Sequence, residues 1–226
     1  MNNNIVKFSS KSFLKSCTQY SKNWELTDQT LYNLCQENFD HSSLNAINAK
    51  LWIIGRTYAT GIERKIPTDG NQGGSLTRLA QQLYKKRNTI NSIFQKLSNI
   101  SESLNVDSLR DISILHWKFT QIIKQITRKN HVPRSFASKY MHFHCPSVPI
   151  YDNYAARALK KLVPWRKELL VFDKSPNMDE EYLWHILRFW NLYKTALQNG
   201  NPVKVKHLDF YLLCVAEKLA GPKNQK

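Results

Sequence analysis

Between Met141 and Tyr154 the chain reads MHFHCPSVPIYDNY, which places two histidines, a cysteine, two prolines and an aspartate close together, with Lys139 just upstream. His142, His144 and Cys145, with His131 nearby, are the residue types of a zinc site. Their spacing argues against one. In a helix, residues two apart diverge by about 200° around the axis; in an extended segment the two histidines share a face from which Cys145 points away. Packing and polar contacts are the expected roles, and no metal is expected.

Asp152 offers different chemistry. It follows PSVPIY and precedes NYAARALKKLV, a helical pattern that stops at Pro164, so it is placed to cap a helix by accepting N–H groups of the first turn. The same groups and the positive end of the helix dipole keep its carboxylate ionised. An ionised carboxylate suits the stabilisation of positive charge at a sugar carbon. Taken alone, however, this is a common helix start. Projecting the preceding segment from Ser135 at about 100° per residue puts Phe136, Tyr140 and Phe143 in one stripe, flanked by Ala137 and Met141. Ser135, Ser138, Lys139 and His142 gather on the other side, which is either a solvated face or the wall of a cleft.

The elements that must position these residues are helical almost throughout. A first helix is predicted from Thr27 or Asp28, as N-cap, to Phe39. A second starts at Ser42 or Ser43 and carries LNAINAKLWIIGRTYATGIER, so apolar that Arg56, Glu63 and Arg64 would be buried and need partners. After the glycine-bearing loop TDGNQGGS, Ser75 caps a long helix through LTRLAQQLYKKRNTINSIFQKLSNI, and Asp107 or Ser108 caps another through LRDISILHWKFTQIIKQITRK. The turn NHVP leads to the helices of Lys139 and Asp152. MDEEYLWHILRFWNLYKTALQNG, ending at Gly200, and VKHLDFYLLCVAEKLAG follow. The expectation is an all-α fold, a compact bundle of about eight helices over residues 26–226, with two α subdomains flanking a cleft as one arrangement. Residues 1–25 form an N-terminal arm that is either flexible or packed back on the core.

Composition narrows the partner. In 226 residues, 33 Lys and Arg outnumber 17 Asp and Glu, a formal charge of +16, and such a field favours a polyanion. Nucleic acid is the first expectation and an anionic membrane surface the second. The four cysteines are widely spaced without a CxxC pair, and the chain opens without an apolar leader, so a reduced, cytoplasmic protein is expected. No run approaches the roughly 18 apolar residues of a membrane-spanning helix. Asp107, Asp111, Asp173 and Asp179 are scattered, which argues against a Mg²⁺-dependent nuclease.

A lysine-bearing helix, a short proline loop and an aspartate opening the next helix, in a basic all-α chain, form a recognisable constellation. VPIYDNYAARAL resembles a loop of the helix-hairpin-helix superfamily of DNA glycosylases, in particular the 8-oxoguanine glycosylase-like branch. There the loop reads roughly Val-Pro-Val-Asp, and its aspartate is catalytic. The match runs from Lys129 to Val163, with one extra residue in the loop, and a helix-hairpin-helix-like element would occupy about residues 115–163. KNHVPRS lacks the glycines with which the family's hairpin presents N–H groups to a phosphate. Arg134 and Ser135, with Arg128 and Lys129, are the DNA-binding residues that remain.

The resemblance implies double-stranded DNA carrying a damaged or modified base, which is flipped out of the stack. Asp152 would stabilise the oxocarbenium-like charge at C1′. The nucleophile would be water, leaving an abasic site, or Lys139, giving a Schiff base and AP-lyase cleavage. His142, Trp52, Tyr58 and Trp190 are the residues proposed to line the base pocket. No cofactor, membrane or obligate protein partner is implied. Repair and defence against modified phage DNA both remain open as roles, and the alternative reading is a non-enzymatic helical DNA- or RNA-binding protein.

Overall fold

The computed structural model describes residues 7–67, 75–101, 103–128 and 131–221. Among them the fold is all-helical and has no strand: α1 (Ser10–Asn23), α2 (Glu25–Glu37), α3 (Leu44–Trp52), α4 (Ser75–Lys85), α5 (Arg87–Ser98), α6 (Val106–Lys124), α7 (Arg134–His144), α8 (Asn153–Leu162), α9 (Glu180–Gln198) and α10 (Val205–Ala220). No described helix is long and apolar enough to cross a membrane.

Of the two states left open for the N-terminal arm, its described part packs back on the core: α1 packs on α10, and Phe13 is fully buried against Phe8 and Tyr211. Three elements depart from the sequence reading, each for a local reason. The helix expected to begin at Thr27 or Asp28 begins at Glu25, and Asp28 is buried within it. The long apolar helix opening at Ser43 breaks after Trp52. A π-helical turn, Ile53–Thr57, ends at Tyr58, and Ala59 (φ 47°) and Gly61 (φ 66°) turn the chain away. Such turns interrupt the regular ladder and re-aim the backbone that follows. Arg56 and Glu63 are therefore not buried: they pair with each other at 3.0 Å at the surface. Finally, the helix starting at Ser75 kinks at Lys86, whose N–H is shared by the Gln82 and Leu83 carbonyls, dividing it into α4 and α5.

Capping fixes the other boundaries. Asn105, rather than Asp107 or Ser108, caps α6, and Ser108 completes a reciprocal capping box with it. Gly200 and Gly221 take up positive φ beyond α9 and α10, as helix ends favour.

The element that matters most for the site is α7. Every residue from Phe136 to His144 is buried, and the helix is packed by α2, α5, α6 and the π-helical turn. Its polar side is thus neither a solvated face nor a plain apolar core. Ser138, Lys139 and His142 are held inside by specific partners, which a buried polar group requires. Beside it, α8 packs against α9 and α10 and buries Leu159 with Ala155, Ala156 and Ala158, the three alanines being small enough to allow close approach.

Candidate active site

The loop between α7 and α8 is pinned carbonyl by carbonyl. The His142 Nδ1–H donates to the Val148 carbonyl (2.8 Å), the Tyr182 hydroxyl to that of Pro149 (2.8 Å) and the His185 Nε2–H to that of Ile150 (2.8 Å). The Tyr151 N–H donates to Ser138 Oγ at 2.9 Å. A proline-bearing loop has few backbone donors of its own. Buried side chains from α7 and α9 supply the bonds, and the residue that follows is delivered in one place.

That residue is Asp152, the N-cap of α8. Its Oδ1 accepts from the Tyr154 N–H at 2.9 Å, and its Oδ2 lies 3.1 Å from Lys139 Nζ. The same ammonium group donates to the Tyr58 carbonyl at 3.0 Å, an acceptor exposed by the π-helical turn. Burial pushes the Asp152 carboxyl up, but Lys139 and the N–H groups of Tyr154 and Ala155 outweigh it and hold the carboxyl below the usual carboxylate range. Lys139 is 6% exposed and, among the described residues, belongs to no other ion pair.

The pair faces a cavity of about 290 Å³, at the lower end of small-molecule pockets. Tyr58, Lys139, Ile150 and Asp152 form one wall. Tyr20 and Trp24, from the α1–α2 corner, and Lys206, Asp209, Phe210 and Glu217 of α10 face them. Asp28 closes one side: it accepts from the Tyr20 hydroxyl at 2.5 Å and from the Tyr58 hydroxyl, with Lys206 Nζ 3.5 Å away. Asp28, Asp152, Asp209 and Glu217 thus meet two lysines, so this cavity of a basic chain is locally rich in acid.

Of the residues singled out in the sequence, Lys139, Asp152 and Tyr58 converge here. His142 does not reach the cavity. It is fully buried, takes the Tyr32 hydroxyl on its Nε2 (2.5 Å), and burial pushes its pKa down to about 3. Trp52 is a surface residue under the Arg56 guanidinium (3.7 Å), and Trp190 packs on the core beneath Lys194. Arg134 turns inward to Asp179 (2.6 Å) and Glu181 (2.9 Å), tying the start of α7 to α9. Ser135 is half-buried beside it, Arg128 is exposed, and Lys129 lies outside the described residues. Among the described residues no three His, Cys, Asp or Glu side chains are grouped to hold a metal ion. His144 instead contacts Lys50, and Cys145 contacts the Leu97 carbonyl.

Sequence reasoning missed Asp28, Lys206 and Asp209. Part of the signal was present: in VKHLDFYLLCVAEKLAG, Lys206, Asp209 and Glu217 fall on one helical face together with Phe210, Leu213 and Cys214. Charges interleaved with apolar residues on one face, inside an otherwise apolar helix, mark a lined cavity. No family model, no curated protein and no solved structure matches the chain.

Proposed function

We propose that the protein is a DNA base-excision glycosylase that takes a damaged or modified base from duplex DNA into this cavity and breaks its N-glycosidic bond. The observation that carries the reading is the Lys139–Asp152 pair, 3.1 Å apart in the cavity wall. An amine beside a carboxylate held ionised is the equipment that attack at an anomeric carbon needs. The formal charge of +16 supplies attraction for the backbone. The order of helices α6, α7 and α8, with a proline loop between the last two, supports the resemblance to the helix-hairpin-helix glycosylases, by which a hairpin-like element would occupy about residues 115–163.

In this mechanism the C1′–N bond breaks and its electron pair leaves with the base. Asp152 stabilises the positive charge that develops on the sugar. Lys139 attacks C1′ with its lone pair, passing a proton to Asp152 as the new bond forms. Loss of a further proton and opening of the sugar ring give a Schiff base, from which β-elimination nicks the strand. With water as the nucleophile, Asp152 takes the proton from it and the product is an abasic site.

The test is single-turnover base release from duplexes carrying a panel of damaged and modified bases. Asp152→Asn is expected to slow release by about 10²–10³-fold, and Lys139→Gln to abolish borohydride trapping of a covalent DNA complex. Binding of duplex with no base release from any substrate would replace this reading with that of a non-enzymatic nucleic-acid-binding protein. Trapping that survives in Lys139→Gln would assign the nucleophile elsewhere.

A further inference from the structure

Asp209 shares the cavity with Lys139 and Asp152, yet its environment is the reverse of theirs. It is 3% exposed and stands on α10, with its Oδ2 at 3.5 Å from Lys206 Nζ. Its Oδ1 is buried and has no hydrogen-bond partner among the described residues. An ionised carboxylate left in that state is costly, whereas a protonated one is not. Asp152, by contrast, has both oxygens occupied, one by a backbone N–H and one by an ammonium group.

The groups facing Asp209 come from every element around it: Lys206 of its own helix, Asp28 and Tyr32 of α2, Tyr58 after the π-helical turn, Lys139 of α7 and Asp152 at the start of α8. Burial pushes the Asp209 carboxyl up. The Lys206 and Lys139 ammonium groups oppose this and the Asp152 carboxylate adds to it, and the balance stays above the usual carboxylate range. Two carboxyls in one cavity are thus driven in opposite directions, Asp152 down and Asp209 up. Such divergence is how a fold separates an acid from a charge stabiliser.

We propose that Asp209 is the general acid of this cavity, delivering its proton to a ring nitrogen of the departing base. This rests on the glycosylase reading above. A nucleoside with C1′ against Lys139 has its base among the residues that α1, α2 and α10 contribute, and Asp209 is the buried carboxyl there with an oxygen that no described residue engages. The step balances: the C1′–N electron pair goes to the base, and the base takes the Asp209 proton to leave as a neutral molecule. The nucleophile fills C1′, and Asp209 is left ionised next to Lys206, which stabilises the new charge. Lys206 is a positioning residue in this scheme, 3.5 Å from both Asp28 and Asp209.

The experiment measures single-turnover base release against pH for the full chain, as wild type, Asp209→Asn and Lys139→Gln. An acid must hold its proton, so wild-type release should fall as pH rises through the Asp209 pKa. Asp209→Asn should be slower by about 10²-fold and lack that descending limb, while Lys139→Gln keeps the limb at a lower rate. A merely structural Asp209 would change amplitude or stability but not the pH profile. Asp209→Asn with wild-type rate and limb overturns the proposal. If Asp209→Asn does not fold, a wild-type rate with no descending limb at any pH where the protein stays folded overturns it too, because a general acid must lose its proton, and the rate with it, as pH rises. Wild-type protein that releases no base from any duplex sinks the glycosylase reading itself, a different result from either of these.

Discussion

Two lysines are buried against the same stretch of chain, and they do opposite things. Lys139 meets a carboxylate, Asp152, and opens on a cavity. Lys50, on α3, is 0% exposed and meets no carboxylate among the described residues: its Nζ donates to the Asn38 carbonyl and to His144 Nε2, the latter at 3.0 Å. Around it His41, Tyr140, His144 and Phe94 stack and hydrogen-bond into a closed cluster. Burial pushes Lys50 down to about 8 and His41 down to about 4, while His144 falls well below its usual value. A buried lysine is therefore not a reactive lysine by itself. What separates the two is an adjoining cavity and a carboxylate within reach. Where both are missing, the amine is pressed towards neutrality and becomes part of the core.

Acid should damage the molecule most. His41, His116 and His185, with pKa near 4, and His142, near 3, are buried neutral. A folded-state pKa below the unfolded value near 6.5 means stability that is whole above pH 6.5 and lost as pH falls towards the folded values. At on the order of 2–3 kcal/mol for each fully shifted histidine, the denaturant midpoint should drop steeply between about pH 6.5 and 4. A flat midpoint over that range would show that these rings are not held neutral.

The next largest effect separates the two regions by substitution. Phe94→Ala, in the ring cluster beside Lys50, should cost about 3–5 kcal/mol and lower Tm, yet leave base release per folded molecule intact. Asp152→Asn should do the reverse, slowing release with little change in Tm. If the two variants lose activity and stability in parallel, the distinction between core and site fails.

The smallest effect concerns Lys50 alone. Its folded pKa is lower than the unfolded value near 10.5, so it contributes stability that grows as pH rises from about 8. Wild type should gain about 1 kcal/mol from this source between pH 8 and 9 relative to Lys50→Met. Equal pH slopes in paired denaturation curves would mean that Lys50 stays fully charged in the core.

Much of this was legible in the chain. The helical period, the Ser43 cap, the stop at Pro164 and the end of α9 at Gly200 are local signals, written in adjacent residues. The position of Asp152 at a helix start was legible for the same reason. The form of the break after Trp52 was not. Ile53 to Thr57, with Gly55 and three β-branched residues, is a poor helix former, but the form of the break depends on partners distant in the chain: the Tyr58 hydroxyl meets Asp28 and the Tyr58 carbonyl meets Lys139. His142 and Arg134 read as site residues because a sequence does not reveal that one will hold a loop carbonyl and the other two carboxylates of α9.

Sequence by itself determined the all-helical fold, the basic charge, the capping aspartate and the poor spacing for a metal, because periodicity, composition and capping act within a few residues. Tertiary structure alone decided that Lys139 lies within 3.1 Å of that aspartate, that α10 brings Asp209 and Lys206 to the same cavity, and that Lys50 is closed into the core. Those pairings join residues from 13 to more than 90 positions apart. Their energies depend on burial and distance, which exist only once the helices have packed.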